Sequence, residues 1–350
     1  MDSESADAPT PYPATDRWAT LAQGAAAEVN VRFGHRLLGL PGTWIAAVAA
    51  PTTGITTPFS PWHYWWQAHY LDAVVDAGIA AFRDGDGRGA LTELRRATAL
   101  LRGLLLRNFG RFPNYFYDDM AWLALACDRL SAFCRDVTGK PSRWADFAVG
   151  SLTRQLRAAQ NDVLGGGIYW SRKRDFKNTP ANGSAALHFA RIGEMGRAQG
   201  LIDWLRAELF DPEQGIYLDG SHPSATGREV ETTIYTYNQG PILAALLQLD
   251  HPRYVRQAAD LIDAVVLHLT VPGQGIRLEQ GADGSLFTGI LCRYLALVAN
   301  DGRLPADSRA TASLLVLETA SALTGPAPAQ LSAAVQRWTI FAAAATCQRP

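Results

Sequence analysis

One pattern recurs along this chain at the spacing of a helical hairpin. A short polar and aromatic cluster comes first, followed by a helix-length run that is almost wholly apolar. The clusters are Trp62-His63-Tyr64-Trp65-Trp66-Gln67, Tyr117-Asp118-Asp119, Thr179-Pro180-Ala181-Asn182-Gly183, Tyr235-Thr236-Tyr237-Asn238-Gln239-Gly240 and Phe287-Thr288-Gly289, roughly 50 to 65 residues apart. A helix that is apolar all round is a buried helix. The helices between them carry more charge, as over Arg83–Arg107 and Arg143–Arg157, and read as outer helices. Periodicity predicts helices over 15–34, 62–83, 88–107, 116–135, 141–161, 180–192, 195–210, 234–249, 253–269, 286–300, 305–323 and 329–346. Strand signals are weak and short. A second repeat, Gly167-Ile168-Tyr169-Trp170, Gly215-Ile216-Tyr217-Leu218 and Gly275-Ile276-Arg277-Leu278, marks short extended loops ahead of even-numbered helices. Six outer and six inner helices in alternation predict an all-α fold, an (α/α)6 barrel of six helical hairpins. It is expected to be a single catalytic domain over 15–350 behind a disordered lead-in over 1–14. The inner helices then all start at one end, and their polar openings converge on one mouth.

That convergence gives weight to the adjacent aspartates Asp118 and Asp119, which sit in Asn114-Tyr115-Phe116-Tyr117-Asp118-Asp119-Met120-Ala121-Trp122. Asp in a first helical turn ordinarily satisfies free N–H groups and the helix dipole. Two carboxylates ringed by aromatics at a shared mouth are also the minimal equipment for breaking a glycosidic bond. Residues i and i+1 of a regular helix do not face each other, so such a pair has to sit at the helix edge to reach one sugar. Mutual repulsion and burial raise the pKa of one carboxyl, and an acid and a base then divide the roles.

Other classes of function find little support. The formal net charge of −1 over 350 residues gives no electrostatic footprint for nucleic acid, and the sequence shows no basic stripe on inspection. No apolar run approaches the ~20 residues needed to span a bilayer. Met1 to Thr15 has neither a basic start nor a hydrophobic region, so no secretory signal is read there and a cytoplasmic location is expected. The cysteines Cys127, Cys134, Cys292 and Cys347 form no C-x-x-C pair and read as free thiols. The histidines offer no H-x-x-x-H spacing, so neither a metal site nor a cofactor is expected.

The ordered motifs resemble glycoside hydrolase family 76, the endo-α-1,6-mannanases. They are Tyr64-Trp65-Trp66-Gln67-Ala68-His69, Tyr117-Asp118-Asp119-Met120-Ala121-Trp122, Gly166-Gly167-Ile168-Tyr169-Trp170, Lys177-Asn178 with Asn182-Gly183, Thr236-Tyr237-Asn238-Gln239-Gly240, and Gly289-Ile290 with Arg293. The resemblance implies an (α/α)6 fold and cleavage of α-1,6-linked mannan or manno-oligosaccharides with retention of configuration. It also implies Asp118 as nucleophile and Asp119 as acid/base. The chain departs from the family pattern at Ser184-Ala185-Ala186, where an aromatic is usual, and at Thr288-Gly289-Ile290-Leu291, where Lys-Gly-Ile-Phe is usual.

The expected substrate-binding residues are Trp65, Trp66, Gln67, Tyr117, Trp170, Asn182, Tyr237, Asn238 and Gln239. Each has a structural alternative. Trp65 and Trp66 point about 100° apart on a helix, so one of them belongs to the core. Asn238 can cap a helix and Asn182 can make a turn. Lys177 and Arg172 to Arg174 read as a solvated basic loop, and His63 and His69 as structural. Another (α/α)6 sugar enzyme, an epimerase or a uronide hydrolase, would want paired histidines or arginines at the inner-helix starts, and these are mostly missing. A non-catalytic glycan-binding barrel is the remaining alternative.

Overall fold

The computed structural model describes residues 14–51, 60–225 and 227–347. The expected lead-in lies outside the described residues except for Ala14, which opens the first helix. The described residues form α1 (Ala14–Arg32), α2 (Tyr64–Arg83), α3 (Gly87–Arg107), α4 (Tyr117–Thr138), α5 (Arg143–Ala159), α6 (Thr179–Arg191), α7 (Met195–Glu208), α8 (Thr236–Gln248), α9 (Pro252–Leu269), α10 (Gly284–Ala299), α11 (Ala306–Ala322) and α12 (Leu331–Thr346). Every helix expected from periodicity is present.

The even-numbered helices form the inner ring. Each packs on the next, and α12 returns to α2 to close it. Each odd helix packs outside the inner helix before it, and α1 covers α12. Sequence pattern explains the division. Helix α8 buries every residue from Asn238 to Leu247, whereas α5 buries only a stripe that includes Ala145, Ala148, Leu152 and Leu156. Asp86, Ser142 and Asn178 accept from the N–H groups of Gly89, Ala145 and Ala181 and so cap α3, α5 and α6. Two glycines let inner helices approach closely. A Cβ on Gly240 would lie 2.8 Å from the Tyr294 ring, and one on Gly289 would lie 3.1 Å from the Gln336 backbone.

The Gly-Ile repeats form small antiparallel ladders at the ends of outer helices. Strand β4 (Phe210–Asp211) pairs with β5 (Ile216–Tyr217) after α7, and β8 (Thr270–Val271) pairs with β9 (Gly275–Ile276) after α9. A single bridge, Gln160 to Ile168, follows α5. A similar ladder of β1 (Gly34–His35) and β2 (Ile45–Ala46) follows α1. A three-stranded antiparallel sheet was not expected from the sequence. In it, β3 (Lys177–Asn178) pairs with β6 (Gly220–Ser224), which pairs with β7 (Gly227–Glu231).

The amides in the first turns of the inner helices clasp these loops. Gln67 accepts from the Ala46 N–H at 3.0 Å and donates to the carbonyls of Ala46 and Trp62. Asn182 does the same with Ile168 (2.7 Å) and with the Asn178 carbonyl. Gln239 repeats it with Tyr217 (3.1 Å) and the Tyr235 carbonyl. Three loops are thereby fastened to the openings of α2, α6 and α8.

Candidate active site

Helix α4 begins at Tyr117, so Asp118 and Asp119 occupy its first turn without being its N-cap, which is Phe116. The N–H of Asp119 donates to Asp118 Oδ1 at 2.9 Å, and Trp170 Nε1 donates to Asp118 Oδ2 at 3.0 Å. Asp119 Oδ2 accepts from Asn114 Nδ2 at 2.6 Å. Trp170 reaches the pair because its carbonyl accepts the Tyr117 N–H, which fastens the repeat loop across the start of α4. Asp118 is partly exposed in the mouth, and Asp119 is buried.

Burial pushes the Asp118 carboxyl up to about 7, with the Asp219 charge adding to the rise. The N–H groups of Asp119 and Trp170 pull the other way. Asp119 is also raised well above the usual carboxylate range, by burial and then by the charge of Asp118, and Asn114 opposes this only in part. Neighbouring carboxyls so close cannot both ionise readily. The two differ in their hydrogen bonding, with two N–H donors on Asp118 and one on Asp119.

Two carboxylates at this mouth were not picked out from the sequence. Asp219 is raised to about 6 by burial and accepts from Asn238 Nδ2 at 3.3 Å. Asp283 accepts from Trp65 Nε1 at 3.1 Å and Trp66 Nε1 at 2.7 Å. Asp219 did carry a signal. It follows Gly215-Ile216-Tyr217-Leu218 at the position that Glu279 holds after Gly275-Ile276-Arg277-Leu278. Both residues hold inner helices, since the Asp219 carbonyl accepts from the Thr179 N–H and the Glu279 carboxylate from the Thr236 N–H. Asp283-Gly284 reads in sequence only as a turn.

The structure brings together Trp65, Trp170, Tyr237 and Asn238 around the pair. Tyr237 stacks on Phe287 with ring centres 3.7 Å apart, and Phe287 also meets Trp65 and Tyr235. Burial and the charges of Asp219 and Asp118 hold the Tyr237 hydroxyl well above its usual pKa. Asn238 is fully buried, and its Oδ1 has no partner among the described residues. Helices α4 and α10 face each other across the ring, so Phe287 stands opposite the Asp pair.

Other expected contacts lie elsewhere. Gln67, Asn182 and Gln239 are fully buried and spend their amides on the loop backbones. Trp66 is 1% exposed and stacks on His63 at 4.2 Å, so it belongs to the core while Trp65 is half-buried in the mouth. Tyr117 is buried under the Arg172 guanidinium. Lys177 corrects the basic-loop reading. It is fully buried, and its ammonium donates to Asn161 Oδ1 and to the carbonyls of Val163 and Gly166. His69 lies between Trp65 and Trp122, and burial with the nearby Arg293 lowers its pKa to about 3, so it is a neutral wall. Among the described residues no group of His, Cys, Asp or Glu could hold a metal ion.

Several solved structures share this architecture. An α-1,6-mannanase of Salegentibacter is 26% identical, with a TM-score of 0.81 over 94% of this chain and 99% of that one. An inactive variant of the same enzyme, with two consecutive aspartates changed to asparagine, was solved with α-1,6-mannotriose; it is 26% identical over 94% and 99% of the two chains, TM-score 0.79. A Listeria innocua protein, 23% identical with a TM-score of 0.77 over 94% of this chain and 97% of that one, shares the fold. No curated protein matches the chain. The sequence profile described as glycosyl hydrolase family 76 matches residues 48–322, most of the chain. This chain therefore belongs to glycosyl hydrolase family 76.

Proposed function

We propose that the protein hydrolyses α-1,6-mannan in the manner of an endo-α-1,6-mannanase, with retention of configuration, and that Asp118 and Asp119 carry the reaction. The supporting observation is the unequal hydrogen bonding of two adjacent carboxyls at a mouth lined with aromatic rings. The ionised Asp118 attacks the anomeric carbon while Asp119 gives its proton to the departing glycosidic oxygen. A mannosyl ester on Asp118 results. Asp119, now a carboxylate, takes a proton from water, whose oxygen attacks the same carbon and frees Asp118. Trp170 holds Asp118 in place through its indole N–H. Trp65, Trp170 and Tyr237 offer faces on which sugar rings rest, and Asp219, held by the buried Asn238, offers a hydroxyl partner. Aromatic faces on opposite sides of the mouth suit a chain bound on both sides of the cleaved bond.

The structures of the Salegentibacter α-1,6-mannanase variants with α-1,6-mannotriose and α-1,6-mannotetrose support this substrate class. The test is incubation with linear α-1,6-mannan and separation of products by length. A ladder of oligosaccharides is expected from the parent protein and nothing from Asp118→Asn. A lack of products from the parent protein, or ordinary turnover by the variant, contradicts the proposal.

A further inference from the structure

Charge on the barrel is sorted by position, where the sequence reading expected no basic stripe. From Val29 to Leu71, and again from Leu94 to Tyr117, there is no Asp or Glu. The two stretches carry Arg32, Arg36, Arg95, Arg96, Arg102, Arg107 and Arg111. Folding sets them side by side. The Trp44 N–H donates to the Ala99 carbonyl of α3 at 2.9 Å. The Trp44 carbonyl presses so close to Gly103 that a Cβ there would stand 1.9 Å away. Leu38, Trp62 and Arg107 line one small cleft.

Four apolar side chains stand in water on this rim: Leu38 (51% exposed), Leu40 (45%), Leu106 (50%) and Phe109 (83%). Leu38 and Phe109 hold φ of 48° and 55°, a left-handed backbone that bulky side chains avoid. Among the described residues no burial offsets that cost. Among the described residues Arg36, Arg102 and Arg111 form no ion pair. The rim is at the mouth end, because a short loop links Leu106–Arg111 to the start of α4 and Gln67 clasps Ala46 at the start of α2.

We propose that this rim docks on an anionic phospholipid surface. Leu38, Leu40, Leu106 and Phe109 enter the boundary between headgroups and acyl chains, and Arg36, Arg102 and Arg111 meet headgroup phosphates. The two features together select the occupant. A nucleic acid would use the arginines and leave exposed leucines in water. A neutral apolar partner would cover the leucines and strand the arginines. Docked this way, the catalytic mouth opens beside the lipid surface, within reach of a glycan rooted in it. The docking itself does not depend on the mannanase reading.

The experiment is sedimentation of the full chain with vesicles of phosphatidylcholine alone and of phosphatidylcholine mixed with phosphatidylglycerol, without any glycan. Binding about tenfold or more tighter to the mixed vesicles is expected, weakening as salt rises. Arg102→Glu with Arg111→Glu removes that preference. Leu38→Ser with Phe109→Ser weakens binding at every salt concentration. Both double variants should unfold at the parent temperature, which separates lost docking from lost folding. Failure to bind mixed vesicles, equal binding to both vesicle types, or binding untouched by either double variant overturns the proposal. So does capture of heparin, or of a second copy of the chain, in place of vesicles.

Discussion

Asp118 accepts two N–H donors and Asp119 accepts one, and the roles proposed for them rest on that inequality. Asp118→Asn should lower kcat by more than roughly 10³-fold on every substrate, because no ester can form. Asp119→Asn should recover part of its activity on a substrate with a good leaving group, and further with added azide. Steady-state kinetics on an activated aryl mannoside reads both. Asp219 adds negative charge near Asp118 and helps hold its pKa up near 7. Asp219→Asn should therefore let Asp118 ionise sooner, and the acidic limb of the kcat/KM profile should move to lower pH. A carboxyl whose pKa is raised on folding favours the folded state at low pH. That contribution is lost as pH rises from the usual carboxylate value through the folded one. At pH 8 Asp118→Asn should thus stabilise the fold by ~1–3 kcal/mol, seen as a higher Tm, whereas at pH 4 the gain should vanish. The position of the Asp pair at an aromatic mouth was legible in the sequence because its aromatic company is unusual for a cap. Gln67, Asn182 and Gln239 were misleading because a buried amide at a helix opening reads the same whether it faces a sugar or a loop carbonyl.

The inner helices carry a polar residue followed by a small one at their openings, as in Gln67-Ala68, Asn182-Gly183, Gln239-Gly240 and Thr288-Gly289. The first member clasps a loop and the second lets a neighbour approach. Thr288 fits the scheme by donating its hydroxyl to the Arg277 carbonyl at 2.7 Å. Gln239→Leu should leave the buried N–H and C=O of Tyr217 unpaired and cost about 2–4 kcal/mol. Gly240→Ala should cost about 1–3 kcal/mol, because a Cβ meets the Tyr294 ring at 2.8 Å. Urea unfolding measures both, and near-neutral values would mean the loops are held by other means. The helices themselves were readable because their apolar runs are too long for a strand and too short for a membrane span, which leaves a buried helix. The β6–β7 hairpin was not, since Gly220–Glu231 alternates weakly and contains His222 and Pro223.

Across the whole barrel, the interior behind the mouth is closed by ion pairs between helices far apart in sequence. Asp72 and Asp76 of α2 pair with Arg129 of α4 and with Arg293 of α10, each guanidinium bridging both carboxylates. Burial alone would raise the Asp72 pKa, but Arg129 and Arg293 outweigh it and hold it down to about 2. Arg293→Met should cost about 3–5 kcal/mol, because it leaves two buried carboxylates with a single cation. This quartet could not be read from the sequence, since nothing local links α2 to α10 before the ring closes. Ring closure also carries the functional claim, because it sets the Asp118 and Asp119 carboxyls opposite Phe287 and beside Tyr237 in one mouth. The most direct measurement is proton NMR of the first product released from α-1,6-mannotetraose, recorded before mutarotation. An α-anomer at first appearance is predicted, as a mannosyl ester on Asp118 requires. A β-anomer at first appearance would contradict the double displacement and the roles given to the two aspartates.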